Sequence, residues 1–436
     1  METPIINVGI LTRQAITFWF NGTYILTENG SYLTGEQRAF WNRGKITFRG
    51  KSYQELFFEP ISKENSFELQ HVTIGIDFHW QREEDQYFHG ALHLLASPDG
   101  IVVINRIDVE RYLTCVIASE MNAQAPKEFL KAHAVISRSW LLAQIEKKRL
   151  GEKSLSKGYQ DDKRLIRWYD REDHILFDVC ADDHCQRYQG TTRTGENPVI
   201  QSVMQETCGE VLMCDNQICD TRFSKCCGGA TEAFEHCWEN QPHSYLKSIG
   251  DNPSGKHPDL RIEEEAEKWI RSTPTAFCHT DDQALLSSVL NQYDQETTDF
   301  YRWTVRYTQK ELSGLIQRKT GMDFGEILDL VPLKRGESGR IEELQIIGSK
   351  RIYIIGKELE IRRTLSESHL YSSAFVVDKE QKEGDSIPEA FILQGAGWGH
   401  GVGLCQIGAA VMSTQGYDYR QILSHYFPNT TLEKQY

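Results

Sequence analysis

Two histidines and two cysteines between residues 174 and 185 have the types and spacing of a metal site. The segment HILFDVCADDHCQRYQG gives the pattern His-x5-Cys-x3-His-Cys, with His174, Cys180, His184 and Cys185. Two thiolates and two imidazoles suit a tetrahedral Zn²⁺ ion. The adjacent His184 and Cys185 can both bind one ion if the chain turns between them, which a loop permits. A Cys180–Cys185 disulfide or two free thiols are the alternatives.

Glu120 is the candidate for acid–base chemistry. It follows Val116 and Ile117 by four and three residues, which places it at the edge of the apolar face of a helix. Burial disfavours a charged carboxylate, so this position favours the protonated form that a general acid needs. A solvated glutamate at a helix end is the alternative. Arg138 and Ser139 follow in the next helix, and a short break allows the two helices to pack and bring Arg138 to Glu120.

The segment GAGWGHGVGLCQIGAAVMSTQGY places Trp398 and His400 among closely spaced glycines. Glycine lets the backbone adopt positive φ angles and approach a ligand closely. Two interpretations follow: a binding loop that presents the two rings, or a tight turn with a packed tryptophan and a hydrogen-bonded histidine. From Leu404 onward the pattern predicts a helix that carries Gln406.

Hydrophobic periodicity predicts an α+β fold that places these residues. Short apolar or alternating runs separated by Gly and Asn turns indicate strands up to residue 105. A helix capped by Asp108 is expected to end near Glu120, and Pro126 opens a second one that runs to about Leu150. A loop-rich Cys/His segment follows, and then further strands and a C-terminal helix. We expect four parts: a β-rich N-terminal part at 1–105, a helical catalytic core block with the Cys/His segment at 106–250, an insertion at 251–300, and a C-terminal β/α part with the glycine-rich signature at 301–436.

The composition of the chain restricts the classes of binding partner that can be expected. The 436 residues carry a formal net charge of -14, and 39% of them are hydrophobic, as in an ordinary globular protein. A negative surface repels phosphate backbones, so nucleic acid and anionic membranes are not expected partners. No run approaches the ~20 apolar residues that span a bilayer. The N-terminus shows no basic region and therefore no visible signal peptide.

Three blocks carry a family resemblance. The stretch RIDVERYLTCVIASEMNAQAPKEFLKAHAVISRSW resembles the core block of the stage II sporulation protein D family, which includes the amidase enhancers. In that block a hydrophobic helix ends in Glu-Met, a Pro-containing break follows, and LKAxAVxxR precedes a small hydroxyl residue and an aromatic one. GWGHGVGLCQIGA resembles the C-terminal signature of the family, and GGATE resembles its central Gly-Gly-x-Thr-Glu block.

The resemblance implies a lytic transglycosylase that cleaves peptidoglycan glycan strands, particularly strands poor in stem peptides. The catalytic glutamate carried over by motif is Glu120, with Arg138 and His400 beside it. A single carboxyl suits this chemistry, because the C6 hydroxyl of the sugar closes a 1,6-anhydro ring. A hydrolase normally needs a second carboxylate, for which Glu232 is the residue to note. The residues expected to line the saccharide cleft are Ser139, Trp398, Gly399, Gly401 and Gln406.

The resemblance also implies zinc, since some members bind it through Cys and His in a segment similar to FDVCADDHCQRY. The ion would be structural or near the active site. Two other functions stay open: a non-catalytic glycan-binding protein that stimulates an amidase, and a zinc-dependent hydrolase of cell-wall material. Four protein ligands would close the zinc site, whereas three plus water would leave it open. The expected partners are glycan strands or muropeptide fragments and, in the enhancer case, an amidase.

The chain departs from the family pattern in SKCCGGA, where Cys226 and Cys227 stand at positions of small hydroxyl residues. Extra metal ligands, a redox pair and small packing residues are the three interpretations. The final EKQY is predicted to be a tail without a structural role. The family works in the cell envelope or periplasm, whereas a complete chain without a leader would be cytoplasmic.

Overall fold

The computed structural model describes residues 3–75, 81–122, 124–151, 158–168, 174–182, 184–192, 197–290 and 299–436. Strands and helices in these ranges confirm the α+β class. The strands are β1 (Ile5–Arg13), β2 (Ala15–Leu26), β3 (Ser31–Asn42), β4 (Lys45–Phe48), β5 (Lys51–Tyr53), β6 (Glu55–Pro60), β7 (Ser66–Ile74), β8 (Arg82–His89), β9 (Ala91–Ser97), β10 (Gly100–Asp108), β11 (Tyr159–Gln160), β12 (Arg164–Ile166), β13 (Val179–Cys180), β14 (Glu210–Cys214), β15 (Gln217–Ile218), β16 (Phe223–Ser224), β17 (Arg302–Thr308), β18 (Ile327–Arg335), β19 (Ile341–Gly348), β20 (Ile352–Gly356), β21 (Phe375–Glu380), β22 (Ala390–Ala396), β23 (Leu404–Cys405) and β24 (Thr431–Lys434). The helices are α1 (Val109–Glu120), α2 (Lys127–Leu150), α3 (Pro198–Glu206), α4 (Phe234–Cys237), α5 (Glu263–Arg271), α6 (Gln283–Val289), α7 (Gln309–Thr320), α8 (Glu358–Thr364), α9 (Gln406–Thr414) and α10 (Tyr419–Tyr426).

The chain folds into two compact units that do not coincide with the four parts expected from the sequence. The first comprises Met1–Ile145, Glu172–Val211 and Glu433–Tyr436, and the second comprises Glu146–Arg171 and Leu212–Leu432. Chain segments therefore return to a unit after leaving it, which composition along the sequence does not reveal. Within the described ranges, no helix combines the length and the apolar character needed to cross a membrane.

The first unit is built on an eleven-stranded sheet that contains β1 to β10, which confirms the β-rich character predicted for the N-terminal part. Its order is β13-β1-β10-β9-β6-β2-β3-β4-β5, with β7 paired to β2 and β8. Strand β2 buries Ile16, Phe18 and Phe20 in alternation with more exposed residues, so one face of the pleat meets the core. Phe18 contacts the rings of Phe20 and Phe58 there, which makes the core of this unit aromatic.

Helix α1 follows β10 without a loop. Asp108, the last residue of β10, caps the helix as predicted, since its Oδ1 accepts a hydrogen bond of 3.0 Å from the Arg111 backbone N–H. The apolar face of α1 buries Val116 and Ile117 completely. Glu120 is the last residue of the helix and is half-buried. Its place is therefore fixed by the strand that starts the helix and by the core under it.

Arg138 on α2 is fully buried and is paired with α1. Its Nε and Nη2 donate to the two carboxylate oxygens of Glu110 at 2.8 and 2.7 Å, and its Nη1 donates to the Glu210 carbonyl at 3.0 Å. The Tyr436 hydroxyl donates to Glu110 Oε1 at 2.6 Å. The prediction that the C-terminal tail has no structural role is therefore wrong, because its last residue donates a hydrogen bond to this half-buried carboxylate.

Two sheets of the second unit share one core. The first sheet has the order β11-β12-β20-β19-β18, and the other has the order β17-β22-β21. Helix α7 buries Leu312 and Ile316 against these strands, together with Phe375 and Leu393 from β21 and β22. The further strands predicted for this region are confirmed. The predicted C-terminal helix starts at Gln406 rather than at Leu404, because β23 comes first, and a further helix and strand follow it.

The glycine-rich segment follows β22, and every second residue from Gly397 to Gly403 has a left-handed backbone conformation. Its positive φ values are 76°, 96°, 78° and 75° at Gly397, Gly399, Gly401 and Gly403. Side chains other than glycine rarely adopt such angles. A Cβ atom at Gly403 would also lie 2.1 Å from the Arg222 carbonyl oxygen. Backbone conformation and close internal packing therefore both require glycine here.

Replacing Arg138 with methionine is expected to lower the free energy of unfolding by about 3–5 kcal/mol. The reason is that the substitution leaves the Glu110 carboxylate inside the protein without its cation. Urea denaturation followed by circular dichroism measures the change. Arg149→Met on the exposed end of the same helix is the control, with a change within ~0.5 kcal/mol. Equal effects of the two variants would contradict a stabilising role for the Arg138–Glu110 pair.

Replacing Gly403 with alanine is expected to destabilise the protein more than replacing Gly416. Both glycines have positive φ angles, of 75° and 92°, so both variants should lose roughly 1–2 kcal/mol from backbone strain. Only Gly403 adds a collision, since nothing lies within 4 Å of a Cβ at Gly416. Thermal unfolding of the two variants tests this order, and a Gly416→Ala variant as unstable as Gly403→Ala would refute it.

Candidate functional site

The four predicted metal ligands come together in the first unit. The ligand atoms of His174, Cys180, His184 and Cys185 all lie within 4.8 Å of one another. Cys185 Sγ is 3.4 Å from His174 Nε2 and 3.6 Å from His184 Nδ1, and Cys180 Sγ is 3.9 Å from His184 Nδ1. We call these four residues the Cys/His tetrad.

Strand pairing and one glycine position the tetrad. Strand β13 pairs in parallel with β1, with Gly9 opposite Cys180. A Cβ at Gly9 would lie 2.4 Å from the Phe177 ring, so glycine lets this ring pack on the strand. Phe177 in turn lies against His174, with 4.6 Å between ring centroids. The Cys185 backbone N–H donates to the Asp182 carbonyl at 3.0 Å, and this contact accompanies the approach of Cys185 to the other three ligands.

The tetrad fits a tetrahedral ion. With Zn–S near 2.3 Å and Zn–N near 2.0–2.1 Å, neighbouring ligand atoms of a tetrahedron lie about 3.4–3.8 Å apart. The three S···N distances of 3.4, 3.6 and 3.9 Å match that spacing. Hydrogen bonding from Cys185 lowers the pKa of Cys180, which favours the thiolate that binds metal. Four protein ligands complete the coordination of zinc, so the arrangement suits a closed site.

The chain beyond the tetrad fixes Glu120. The Arg187 backbone N–H donates to Glu120 Oε1 at 2.8 Å. Next to it, the Gln189 N–H donates to the Ser119 hydroxyl at 3.2 Å, and that hydroxyl donates to the Cys115 carbonyl at 2.7 Å. The last turn of α1 is thus lined by the segment that follows Cys185. The segment that follows Cys185 therefore links the tetrad to the candidate acid.

Two other residues predicted for this site lie elsewhere. Arg138 pairs with Glu110 rather than with Glu120, and the ten residues between these glutamates correspond to about 15 Å along a helix. Ser139 is fully buried, and its hydroxyl donates to the Val135 carbonyl at 2.7 Å, one turn earlier. The expected Arg138–Glu120 contact and the expected cleft position of Ser139 are both wrong. The side of α2 that carries these residues faces the core.

His400 has partners for both ring nitrogens inside the second unit. Its Nδ1 accepts a hydrogen bond of 3.0 Å from the Val402 backbone N–H, and the ring also bonds to the Phe223 backbone. Burial, reinforced by nearby arginine side chains, lowers the pKa of His400 well below its usual range. The imidazole is therefore neutral and supports the shape of the glycine-rich segment. Its role as a catalytic partner stays a prediction.

Trp398 is half-buried and belongs to an aromatic cluster. Its ring centroid lies 5.1 Å from that of Phe300 and 4.5 Å from that of Tyr371. The Lys225 ammonium lies 4.5 Å from the Trp398 centroid, a cation–π contact. On the backbone, Trp398 exchanges two hydrogen bonds with Cys226. A supported, partly exposed indole of this kind offers a stacking surface for a sugar ring.

The glycines and the glutamine of the same segment serve internal packing. The Gly399 carbonyl accepts from Arg340 Nη2 at 3.1 Å, and a Cβ at Gly401 would lie 2.4 Å from the Arg340 guanidinium carbon. Gln406 is 5% exposed. Gly401 and Gln406 are buried, so the expectation that they line a cleft is replaced by an internal role, whereas the expected place of the half-buried Gly399 in a cleft stays a prediction.

Glu232 is a buried structural carboxylate. Its two oxygens accept hydrogen bonds from the backbone N–H groups of Ala233, Glu337 and Ser338, and from the Ser338 hydroxyl. Burial raises its pKa. The bonds join the GGATE block to the turn at Glu337, so this carboxylate holds the second unit together and is not placed to activate a water on a sugar.

Sequence reasoning did not find the contact that holds Glu120. Arg187 acts through its backbone N–H, which every residue except proline carries, so no side-chain type marks it. The sequence also did not indicate that Arg138 pairs with Glu110, although both residues lie in the core block of the family resemblance. Both contacts join residues far apart in the chain, 67 and 28 positions respectively.

Known proteins resemble this chain in the same regions. Residues 97–214 match the family described as Stage II sporulation protein, and residues 232–403 match a domain of unknown function, DUF8618. The first match contains Glu120 and the whole Cys/His tetrad. The second match runs from Glu232 to Gly403 and contains Trp398 and His400.

Similar proteins point to the same family. Stage II sporulation protein D of Bacillus subtilis is 24% identical over 353 residues, which are 79% of this chain and 82% of that protein. An uncharacterized protein of Brachyspira hyodysenteriae is 22% identical over 340 residues, 78% of this chain and 70% of that protein. The amidase enhancer of Bacillus subtilis is 23% identical over 255 residues, 54% of this chain and 33% of the enhancer. This chain is therefore similar to stage II sporulation protein D over most of its length, and its residues 97–214 match the model of that family.

Proposed function

We propose that this protein is a lytic transglycosylase of peptidoglycan glycan strands, with Glu120 as its single acid and base. The observation that carries the proposal is the placement of Glu120 at the end of α1, with its carboxylate held by the Arg187 N–H next to the Cys/His tetrad. The match of residues 97–214 to the Stage II sporulation protein family and the amidase enhancer among the relatives support a function on the cell wall. We place that function in the cell envelope, on glycan strands poor in stem peptides or on muropeptide fragments.

The proposed reaction uses one carboxyl twice. Glu120 first donates its proton to the glycosidic oxygen as the bond from N-acetylmuramic acid to that oxygen breaks. The resulting carboxylate then takes the proton of the C6 hydroxyl of the same sugar, whose oxygen closes the 1,6-anhydro ring. Glu120 is therefore protonated again at the end of the reaction, and no water is consumed. A half-buried carboxyl held at one oxygen by a backbone N–H keeps the geometry needed for both steps.

Two other carboxyl groups of the matching blocks, those of Glu110 and Glu232, are engaged in internal contacts, which supports this chemistry over hydrolysis. An inverting or retaining hydrolase uses two carboxyl groups on either side of the glycosidic bond. Glu110 lies at the other end of α1 and is paired with Arg138. Glu232 is buried and hydrogen-bonded within the second unit. The intramolecular C6 hydroxyl removes the need for such a group.

We propose zinc as the occupant of the Cys/His tetrad. When bound, it would crosslink the loop from which Arg187 reaches Glu120. Four protein ligands leave no position for a reactive water, which argues for a structural role and against a zinc-dependent hydrolase. The residues of this chain then do the chemistry: the Arg187 N–H orients the carboxyl and Glu120 moves the proton.

A non-catalytic amidase enhancer is the second candidate. It is favoured by the relative of that name and by the aromatic surface at Trp398, which offers a place for a glycan in the second unit. This candidate needs glycan binding and an amidase partner but no role for Glu120. The glutamate variant below separates the two functions.

Replacing Glu120 with glutamine is expected to lower the rate of glycan cleavage about 10²–10⁴-fold, because the amide cannot deliver a proton. Glycan binding should change little, since the side chain keeps its size. The assay incubates peptide-free glycan strands with the protein and identifies products by mass spectrometry. Products with 1,6-anhydromuramic ends, one water lighter than hydrolysis products, are expected from the unmodified protein.

Glu146→Gln on the exposed surface of α2 is the matched control and should leave cleavage unchanged. Reducing ends in place of anhydro ends would show a hydrolase. Tight glycan binding without cleavage by the unmodified protein would favour the amidase enhancer. Undiminished cleavage by Glu120→Gln would remove Glu120 from the mechanism.

Replacing Cys180 and Cys185 together with serine is expected to remove one equivalent of zinc per chain, measured by elemental analysis. Because zinc binds deprotonated thiolates and neutral imidazoles, zinc retained by the unmodified protein should fall as the pH is lowered. The double variant should also cleave glycan more slowly, since the loop that orients Glu120 loses its crosslink.

Cys208→Ser is the control for this experiment, because Cys208 is half-buried in the same unit and stands outside the tetrad. It should keep its zinc and its activity. Full zinc retention in the Cys180→Ser/Cys185→Ser variant would rule out the tetrad as a zinc site. Loss of zinc with unchanged cleavage would separate the metal from the placement of Glu120.

A further inference from the structure

We propose that Cys227, Cys278, Cys405 and Asp251 form a second zinc site, buried within the second unit and independent of the catalytic proposal. One ligand atom from each of the four residues lies within 4.8 Å of the others. All four residues are buried. They come from four separate segments of the chain, so the fold and not local sequence brings them together. We call them the buried tetrad.

The distances in the buried tetrad suit a single ion. Cys227 Sγ lies 3.6 Å from Cys278 Sγ, close to the edge of about 3.8 Å that a tetrahedron with Zn–S near 2.3 Å requires. Cys405 Sγ faces the same point and accepts a hydrogen bond of 3.2 Å from the Cys227 backbone N–H. An iron–sulfur cluster places iron and sulfide between its thiolates and would hold them farther apart.

The carboxylate of Asp251 is oriented as a ligand would be. It accepts a hydrogen bond of 2.7 Å from the Cys278 backbone N–H and one of 2.6 Å from the Tyr426 hydroxyl. Such outer contacts fix the direction of metal-binding carboxylates. The aspartate belongs to no ion pair among the described residues of the second unit. A buried carboxylate without a cation is costly, and a bound cation removes that cost.

A metal explains the composition of the buried tetrad better than packing or a disulfide. A disulfide would use two of the three sulfurs and leave the third thiol and the carboxylate facing each other. Small apolar side chains would fill the same space without polar groups. Thiolate-rich sets select zinc over magnesium or calcium, and three thiolates with one carboxylate close its tetrahedron. Cys227 thus becomes an extra metal ligand, one of the three interpretations that its sequence position allowed.

A zinc ion bound by all four residues of the buried tetrad would stabilise the glycine-rich segment. Cys405 is the N-cap of α9 and lies directly after that segment, while Cys227 lies in the stretch that pairs with Trp398. Zinc would tie both ends of this contact to the loops of Asp251 and Cys278. Because ligands from distant segments meet only in the folded chain, metal binding adds directly to the stability of this unit.

The test measures zinc in the full chain purified under reducing conditions without chelators. We expect two equivalents in the unmodified protein and one in the Cys180→Ser/Cys185→Ser variant. In crystals of that variant, anomalous scattering at the zinc edge should place the remaining ion among Cys227, Cys278, Cys405 and Asp251. This measurement needs no change to the buried tetrad and therefore does not depend on whether its variants fold.

Variants of the buried tetrad test the ligand set. Cys227→Ser/Cys278→Ser should lose one equivalent of zinc, whereas Asp251→Cys should keep it, because a fourth thiolate is as good a ligand. Cys214→Ser, a half-buried cysteine of the same unit outside the tetrad, is the control and should keep both ions. Cys226→Ser should also keep both.

Three results would overturn the proposal. The first is a single equivalent of zinc in the unmodified protein that disappears in the Cys180→Ser/Cys185→Ser variant. The second is a disulfide between two of Cys227, Cys278 and Cys405 in protein purified without reductant, identified by mass spectrometry of its peptides. The third is loss of zinc in Cys226→Ser with retention in Asp251→Ala, which would assign the fourth ligand to Cys226.

Discussion

The candidate site depends on one hydrogen bond, from the Arg187 backbone N–H to the carboxylate of Glu120. The last turn of a helix presents unpaired carbonyl groups and the negative end of the helix dipole, so it offers no donor to a carboxylate. The donor must come from another part of the chain. The segment that returns after the Cys/His tetrad supplies it, and whatever fixes that segment therefore fixes Glu120.

That returning segment is held at both ends. At one end the tetrad gathers His174, Cys180, His184 and Cys185 around a point that suits zinc. At the other end the Tyr188 hydroxyl donates to the buried Asn105 side chain at 2.6 Å. A metal ion would thus add to an anchor that the core of the first unit already provides. Its loss would loosen the exposed half of the loop first, because the other half is tied to the sheet.

In the second unit, two irregular segments pack against each other. Residues 222–232 and 397–405 have little regular structure, so their polar backbone groups must find partners without a long sheet. Left-handed glycines let the two backbones approach closely enough to bond, as Trp398 and Cys226 do. The proposed second zinc would join the same two segments through side chains. The first tetrad is partly open to solvent, whereas the second is enclosed and would take up its ion as the chain folds.

The sequence by itself determined the elements and the chemistry-bearing residues, because their signals are local. Alternating apolar residues gave the N-terminal strands, Asp108 gave the start of α1, and ligand spacing gave the Cys/His tetrad. Only the tertiary structure decided which side chains meet. Arg138 pairs with Glu110, and the glycine-rich segment packs against its neighbours. Cys227 and Cys405, 178 positions apart in the chain, are in contact. The physical reason is that a backbone donor, a buried ion pair or a cluster of distant thiols leaves no periodic or contiguous pattern in the sequence, since each depends on how the chain returns to itself.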